Sequence, residues 1–152
     1  MAQNQFVPSV SQLERNAAFG AQGPIIIAAV PAAGNAALVG TALVDAGQLT
    51  VLGLYRCLIP MSGMVSAVKL YLKATFASGT VTTDVDSLFW VRDPNLVSAW
   101  SKLTAATGDG AMTTTVLQTV SITPAGEQYA VLDFTLATAA ACTFTQAEYM
   151  GL

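Results

Sequence analysis

Val68-Lys-Leu-Tyr-Leu-Lys-Ala-Thr-Phe76 decides how this chain is read. Val68, Leu70, Leu72, Ala74 and Phe76 alternate with Lys69, Tyr71, Lys73 and Thr75. A period of two sends one set to a buried face and the other to a solvated one, the pattern of a half-buried strand. Two other segments repeat it. Ala130, Leu132, Phe134 and Leu136 alternate with Val131, Asp133 and Thr135; Val116, Val120 and Ile122 alternate with Leu117, Thr119, Ser121 and Thr123. Cys142–Tyr149 completes the set, with Phe144 expected inward. Leu49–Ile59 and Leu88–Val91 are apolar on both faces, as central or covered strands are.

The punctuation between these runs agrees. Met61-Ser-Gly63, Ser78-Gly79, Gly108-Asp-Gly110 and Pro124-Ala-Gly126 are turn clusters. Seventeen threonines supply β-branched side chains for half-exposed faces. Short strands, frequent turns and no repeated βα unit predict an all-β protein, an antiparallel β-sandwich of which the jelly roll is one arrangement. The chain divides into an N-terminal arm over residues 1–20 and one sandwich domain over 21–152. Ser11-Gln-Leu-Glu14 matches a capping box with Gly20 as a stop, which places a short helix at Ser11–Phe19. Asp93-Pro94 can open a second, with Leu96, Trp100 and Leu103 on one face; an irregular loop accommodates the same residues.

Charge is scarce. The 152 residues hold 6 Lys/Arg and 9 Asp/Glu, 10% of the chain, with 53% hydrophobic residues. An ordinary soluble domain is roughly 25% charged. On a folded surface of roughly 7,300 Å² that leaves about one charge per 490 Å², a density that protects a lone monomer poorly against association. A membrane or a protein partner is expected to cover part of it. Asn16–Val44 carries no charge over 29 residues. Pro24, Pro31 and four glycines nevertheless break it, and its strongly apolar core, Ile25–Val30, is strand-length. The expectation there is a buried strand followed by a small-residue loop, and no membrane association.

The same inventory excludes whole chemistries. Without histidine there is no His-based triad, His metal site or imidazole switch. The six basic residues are scattered and the net charge is −3, so no basic stripe is available for nucleic acid. Asp84-Val-Asp86, read as part of a Thr-rich loop, offers two oxygens where calcium wants six to eight. Asp133 and Glu148 would suit glycoside hydrolysis if their strands brought them face to face. Cys57 and Cys142 read as small buried hydrophobes, or as a disulfide if their strands adjoin. Trp90, Trp100, Tyr55, Tyr71, Tyr129 and Tyr149 could form a glycan platform, or core and subunit contacts. No catalytic, cofactor-binding or metal-binding residue is assigned.

Leu49–Phe76, LTVLGLYRCLIPMSGMVSAVKLYLKATF, resembles small β-sandwich structural proteins of tailed bacteriophage particles. In these a strand ending near a Pro-x-x-Gly turn leads into a long alternating strand. GDGAMTTTV at Gly108–Val116 and TPAGEQYAVLDFTL at Thr123–Leu136 fit the same style. A charge-poor Ala/Thr/Gly-rich chain with a polar arm is similar to capsid decoration (cement) proteins. The resemblance implies a non-enzymatic virion protein on the capsid exterior, made in the host cytoplasm. It also implies that the partners are the major capsid protein and copies of the chain itself, as dimers or trimers. A receptor- or glycan-binding module of a fibre or tail is the alternative.

Overall fold

The computed structural model describes residues 22–28, 36–60, 67–88, 104–125, 127, 129–138 and 141–151. They form nine strands: β1 (Gln22–Pro24), β2 (Gly53–Pro60), β3 (Val68–Thr75), β4 (Val81–Leu88), β5 (Thr104–Ala105), β6 (Gly110–Ala111), β7 (Gln118–Ile122), β8 (Tyr129–Leu136) and β9 (Thr143–Gly151). One 3-10 turn lies at Ala36–Leu38. The proposed arm and both proposed helices fall outside the described residues.

The chain is an all-β antiparallel sandwich. One sheet has the order β1-β9-β3-β7; the other has β2-β8-β4-β5, with β6 also on β4. The alternation in residues 68–76 appears as strand β3, whose Val68, Leu70, Leu72 and Ala74 are buried between half-exposed neighbours. Ala130, Leu132, Phe134 and Leu136 of β8 point inward in the same way, as does Phe144 of β9. Phe134 joins the two layers. It stacks on Tyr55, its register partner on β2, at 5.0 Å and 3°, and meets Phe144 of the other sheet edge-on at 5.0 Å. Such ring pairs add about 0.5–1.5 kcal/mol each beyond the area they bury.

Three expectations are corrected. The strand expected from Val116 starts at Gln118; Thr114 and Thr115 turn, with Thr115 at φ 64°, and leave Val116 and Leu117 exposed. In Leu49–Ile59 the regular strand begins only at Gly53. Leu49 makes an isolated bridge to Cys142, and Val51 and Leu52 are exposed. The apolar run at Ile25 is bridged rather than a continuous strand: Ile26 pairs with Ala42 and Ile27 with Cys57. That crossing segment covers the outer edge of β2, where the Ala28 amide donates to the Arg56 carbonyl. An edge strand is thereby capped, which removes a site of edge-to-edge pairing.

The opposite edge is laced by residues 104–112. Ala106 donates to the Val85 carbonyl, the Asp109 side chain accepts from the Val85 amide at 3.0 Å, and Met112 donates to Val81. Between these contacts Thr107 pairs with Ser121 of β7, joining one sheet to the other. Gly108 makes the crossing fit. Its φ is +89°, and a Cβ there would sit 2.4 Å from the Thr119 carbonyl oxygen, so backbone approaches backbone where only glycine has room.

Candidate functional site

The outer face of the four-stranded sheet carries the side chains best placed to meet a ligand. Register sets them out in pairs: Tyr71 opposite Glu148, Lys73 opposite Gln146 and Lys69 opposite Met150. Pro24 of β1 lies across from Glu148, so Pro24, Glu148 and Tyr71 form one outward row. A β-bulge beside Lys73 and Ala74 leaves Thr145 as the extra residue on β9. The bulge keeps Phe144 inward while Gln146 and Glu148 stay outward, and the Gln146 amide donates to Glu148 Oε1 at 2.7 Å.

Between β1 and β9 this face holds an open groove of about 730 Å³. Tyr71, Gln146, Glu148, Met150, Pro24 and Val44 line it, with Tyr149 at its edge. The Tyr149 ring lies against Gly23, where a Cβ would stand 3.6 Å from its Cε1 and hydroxyl, and burial pushes the Tyr149 phenol above its ordinary pKa. One aromatic face, one carboxylate, one amide and an apolar floor suit a neutral polar ligand. They do not form an acid–base pair.

The other candidates separate. Asp133 lies on β8 and Glu148 on β9, in different sheets and on opposite outer faces, so the expected carboxylate pair does not form. Asp133 instead holds Arg56 through a fork, Nε to Oδ1 at 2.6 Å and Nη2 to Oδ2 at 2.5 Å. Bidentate geometry makes this the strong form of ion pair. Asp84 is the cross-strand neighbour of Asp133 on the far side, completing a row Arg56–Asp133–Asp84. Asp84 and Asp86 belong to strand β4 rather than to a loop. Among the described residues no three Cys, Asp or Glu side chains converge as a metal site.

Cys57 and Cys142 are free, buried thiols in the core. Burial, and after it the charge of Asp133, pushes the Cys57 thiol far up; burial alone pushes Cys142 up to about 11. Neither forms a reactive thiolate near neutral pH. Of the six Trp and Tyr residues, Trp90 and Trp100 lie outside the described residues. Tyr55 is core, its hydroxyl donating to the Val51 carbonyl at 2.8 Å, and burial followed by the neighbouring Cys142 raises its pKa against that hydrogen bond. Tyr129 belongs to the other sheet, which leaves Tyr71 and Tyr149 together. Outward alternation identifies Tyr71, Gln146 and Glu148 individually, but only the register of β3 on β9 makes them neighbours. Gln22, Pro24 and Val44 had no sequence signal.

No protein-family model, curated protein or solved structure matches this chain.

Proposed function

We propose that this chain is a non-enzymatic structural protein of a virus particle, a capsid decoration protein that self-associates and stabilises the coat lattice. The observation that carries the reading is the exposure of six large aliphatic side chains, Val39, Val44, Val51, Leu52, Val116 and Leu117, on a chain with so few charges. Val51 and Leu52 adjoin in sequence, as do Val116 and Leu117, and exposed apolar pairs on a surface this poor in charge support a face covered by protein. The strand order adds support. β1·β9, β2·β8, β3·β7 and β4 with β5 and β6 pair as one nested set, the order of a rolled-up hairpin. On this reading the sandwich is a jelly roll, an architecture of capsid and lectin domains; the fold by itself assigns no role.

The partners are the major capsid protein and further copies of the chain, as dimers or trimers, on the capsid exterior after synthesis in the host cytoplasm. Neither nucleic acid nor membrane is a partner. Of the basic residues described, Arg56 is buried against Asp133, and Lys69 and Lys73 share their face with Glu148. The mechanism is mass action: a protein that binds only the assembled lattice stabilises it, the more so when linked contacts act together. Co-sedimentation with undecorated shells tests this. The full chain is expected to bind and a chain lacking Met1–Gln12 to bind more weakly with its β-fold intact. Absence of binding by the full chain overturns the proposal.

The groove beside Tyr71 favours a second reading, a glycan- or receptor-binding module of a fibre or tail. A stacking ring beside a carboxylate and an amide is the minimum such a site requires. Hits on a glycan array that vanish in Tyr71→Ala would establish it in place of the first.

A further inference from the structure

The groove beside β9 is rich in hydrogen-bond acceptors. A carboxylate only accepts, so the Gln146 amide gives its N–H to Glu148 Oε1 at 2.7 Å and keeps its own carbonyl oxygen as an acceptor. The second Glu148 oxygen has no protein partner among the described residues. Thr145 is exposed, and its hydroxyl donates to the Lys73 carbonyl at 3.3 Å, so toward a ligand it too offers lone pairs. All three side chains line the groove. A ligand that satisfies them must bring several O–H or N–H donors close together.

Apolar surface adjoins these acceptors. Tyr71 stands directly across from Glu148 and is half-exposed; its ring stacks on no other ring, and its hydroxyl has no hydrogen-bond partner among the described residues. Met150 and the exposed Pro24 and Val44 continue the apolar lining. Directly opposed residues have Cβ atoms about 4.5–5.5 Å apart. A flat ligand can therefore cover the Tyr71 ring and still reach the carboxylate with its edge. The groove volume, about 730 Å³, is that of a small-molecule site.

Charge narrows the class from both sides. Lys69 and Lys73 flank Tyr71 on the same face of β3, each about 6.6–6.8 Å away along the strand. Neither lines the groove, and neither pairs with Glu148. A cationic ligand over Tyr71 would meet two ammonium groups, and an anionic ligand would meet the carboxylate. A peptide strand brings a carbonyl for every amide, so acceptors would face acceptors. We infer that the groove binds an uncharged pyranose glycan. One sugar ring lays its C–H face on Tyr71, and adjacent hydroxyls donate to Glu148 and to the Gln146 carbonyl. The inference rests on the second reading of this groove and adds the charge and hydrogen-bonding sense of its ligand. The groove is open, so one copy binds weakly, in the millimolar range; copies displayed together bind more strongly.

Saturation-transfer NMR and calorimetric titration of the full chain with trisaccharides of different charge test this. The uncharged probes are cellotriose, maltotriose, galactotriose, mannotriose and triacetylchitotriose; the chitosan trimer is cationic and trigalacturonate anionic. At least one uncharged trimer is expected to bind, and both charged ones to bind more weakly. Tyr71→Ala should weaken that binding about tenfold and Glu148→Gln about fivefold or more, while Lys69→Gln/Lys73→Gln leaves it within about twofold. Matched circular dichroism and melting curves ensure that the folds compared are intact. If trigalacturonate or the chitosan trimer binds best, the glycan reading stands and the uncharged class is overturned. If an uncharged trimer binds Tyr71→Ala and Glu148→Gln as tightly as wild type, the glycan sits elsewhere and the inference is overturned. If no trimer binds, the inference and the glycan reading fail together.

Discussion

The two outer faces of the sandwich start from the same alternation and finish differently. On the five-stranded sheet the outward row is closed in around Arg56, which is 5% exposed, and Val131, at 4%, although both point away from the core; Thr82, Asp84 and Thr135 on the same face stay exposed. On the four-stranded sheet Lys69, Tyr71 and Lys73 stay half-exposed and Glu148 is exposed. Period two specifies which side of its own strand a residue occupies and is silent on what lies above that side. The closed face therefore reads as structure, held by an ion pair with few alternatives, and the open face as surface free to bind.

Truncating across that divide gives the largest contrast. Arg56→Ala leaves the Asp133 carboxylate without its fork and is expected to cost about 3 kcal/mol or more, whereas Lys73→Ala on the open face should stay within about 0.5 kcal/mol. Urea denaturation of the two variants measures the gap, and equal losses would erase the distinction between the faces. Gly108→Ala comes next, because it attacks the seam joining the two sheets. Its positive φ and the Thr119 carbonyl combine to a loss of about 2–4 kcal/mol, seen as a lower melting temperature with the Thr107–Ser121 amides exchanging faster.

Alkali acts beneath the closed face. Cys57 and Cys142 keep protons in the folded chain that the unfolded chain releases near pH 9. The contribution of the two thiols is therefore flat below about pH 9 and falls as pH rises beyond it, by at most about 1.4 kcal/mol per pH unit for one thiol. The share from Cys142 levels off near 11. Denaturation midpoints across this range measure the slope, and Cys57→Ala should flatten it. The smallest effect is expected from Tyr71→Ala, under about 1 kcal/mol in the same assay. A larger loss would mean that the open face is structural after all.

Much of the fold was legible in the sequence because alternation is local. Val68–Ala74 follows it residue by residue, Ala130–Leu136 follows it at every inward position although Val131 is buried as well, and Phe144 was correctly placed inward. Legibility failed where the deciding contact was distant or the backbone left the strand. Arg56 and Asp133 are 77 positions apart, and nothing near either names the other. Asp133 and Glu148 looked like partners because both were outward strand residues, yet outward points two ways in a sandwich. Val116 kept the alternating letters of a strand after the left-handed Thr115 had already turned the chain. The groove shared both defects, since its walls come from β1, β3 and β9 and are adjacent only through register.

The nested pairing also dictates an order of events during synthesis. β8 is the strand that β2 and β4 share, and β9 is the strand that β1 and β3 share. Both leave the ribosome after all the strands they organise. Until Tyr129 and the residues beyond it are made, β3 has only β7 to pair with and β4 only the short β5 and β6, while β1 and β2 have no strand partner. Contacts of such long sequence separation form slowly. The chain must therefore remain soluble as an unfinished strip with few charges to keep it so, and its folding begins in earnest only after its last two strands arrive.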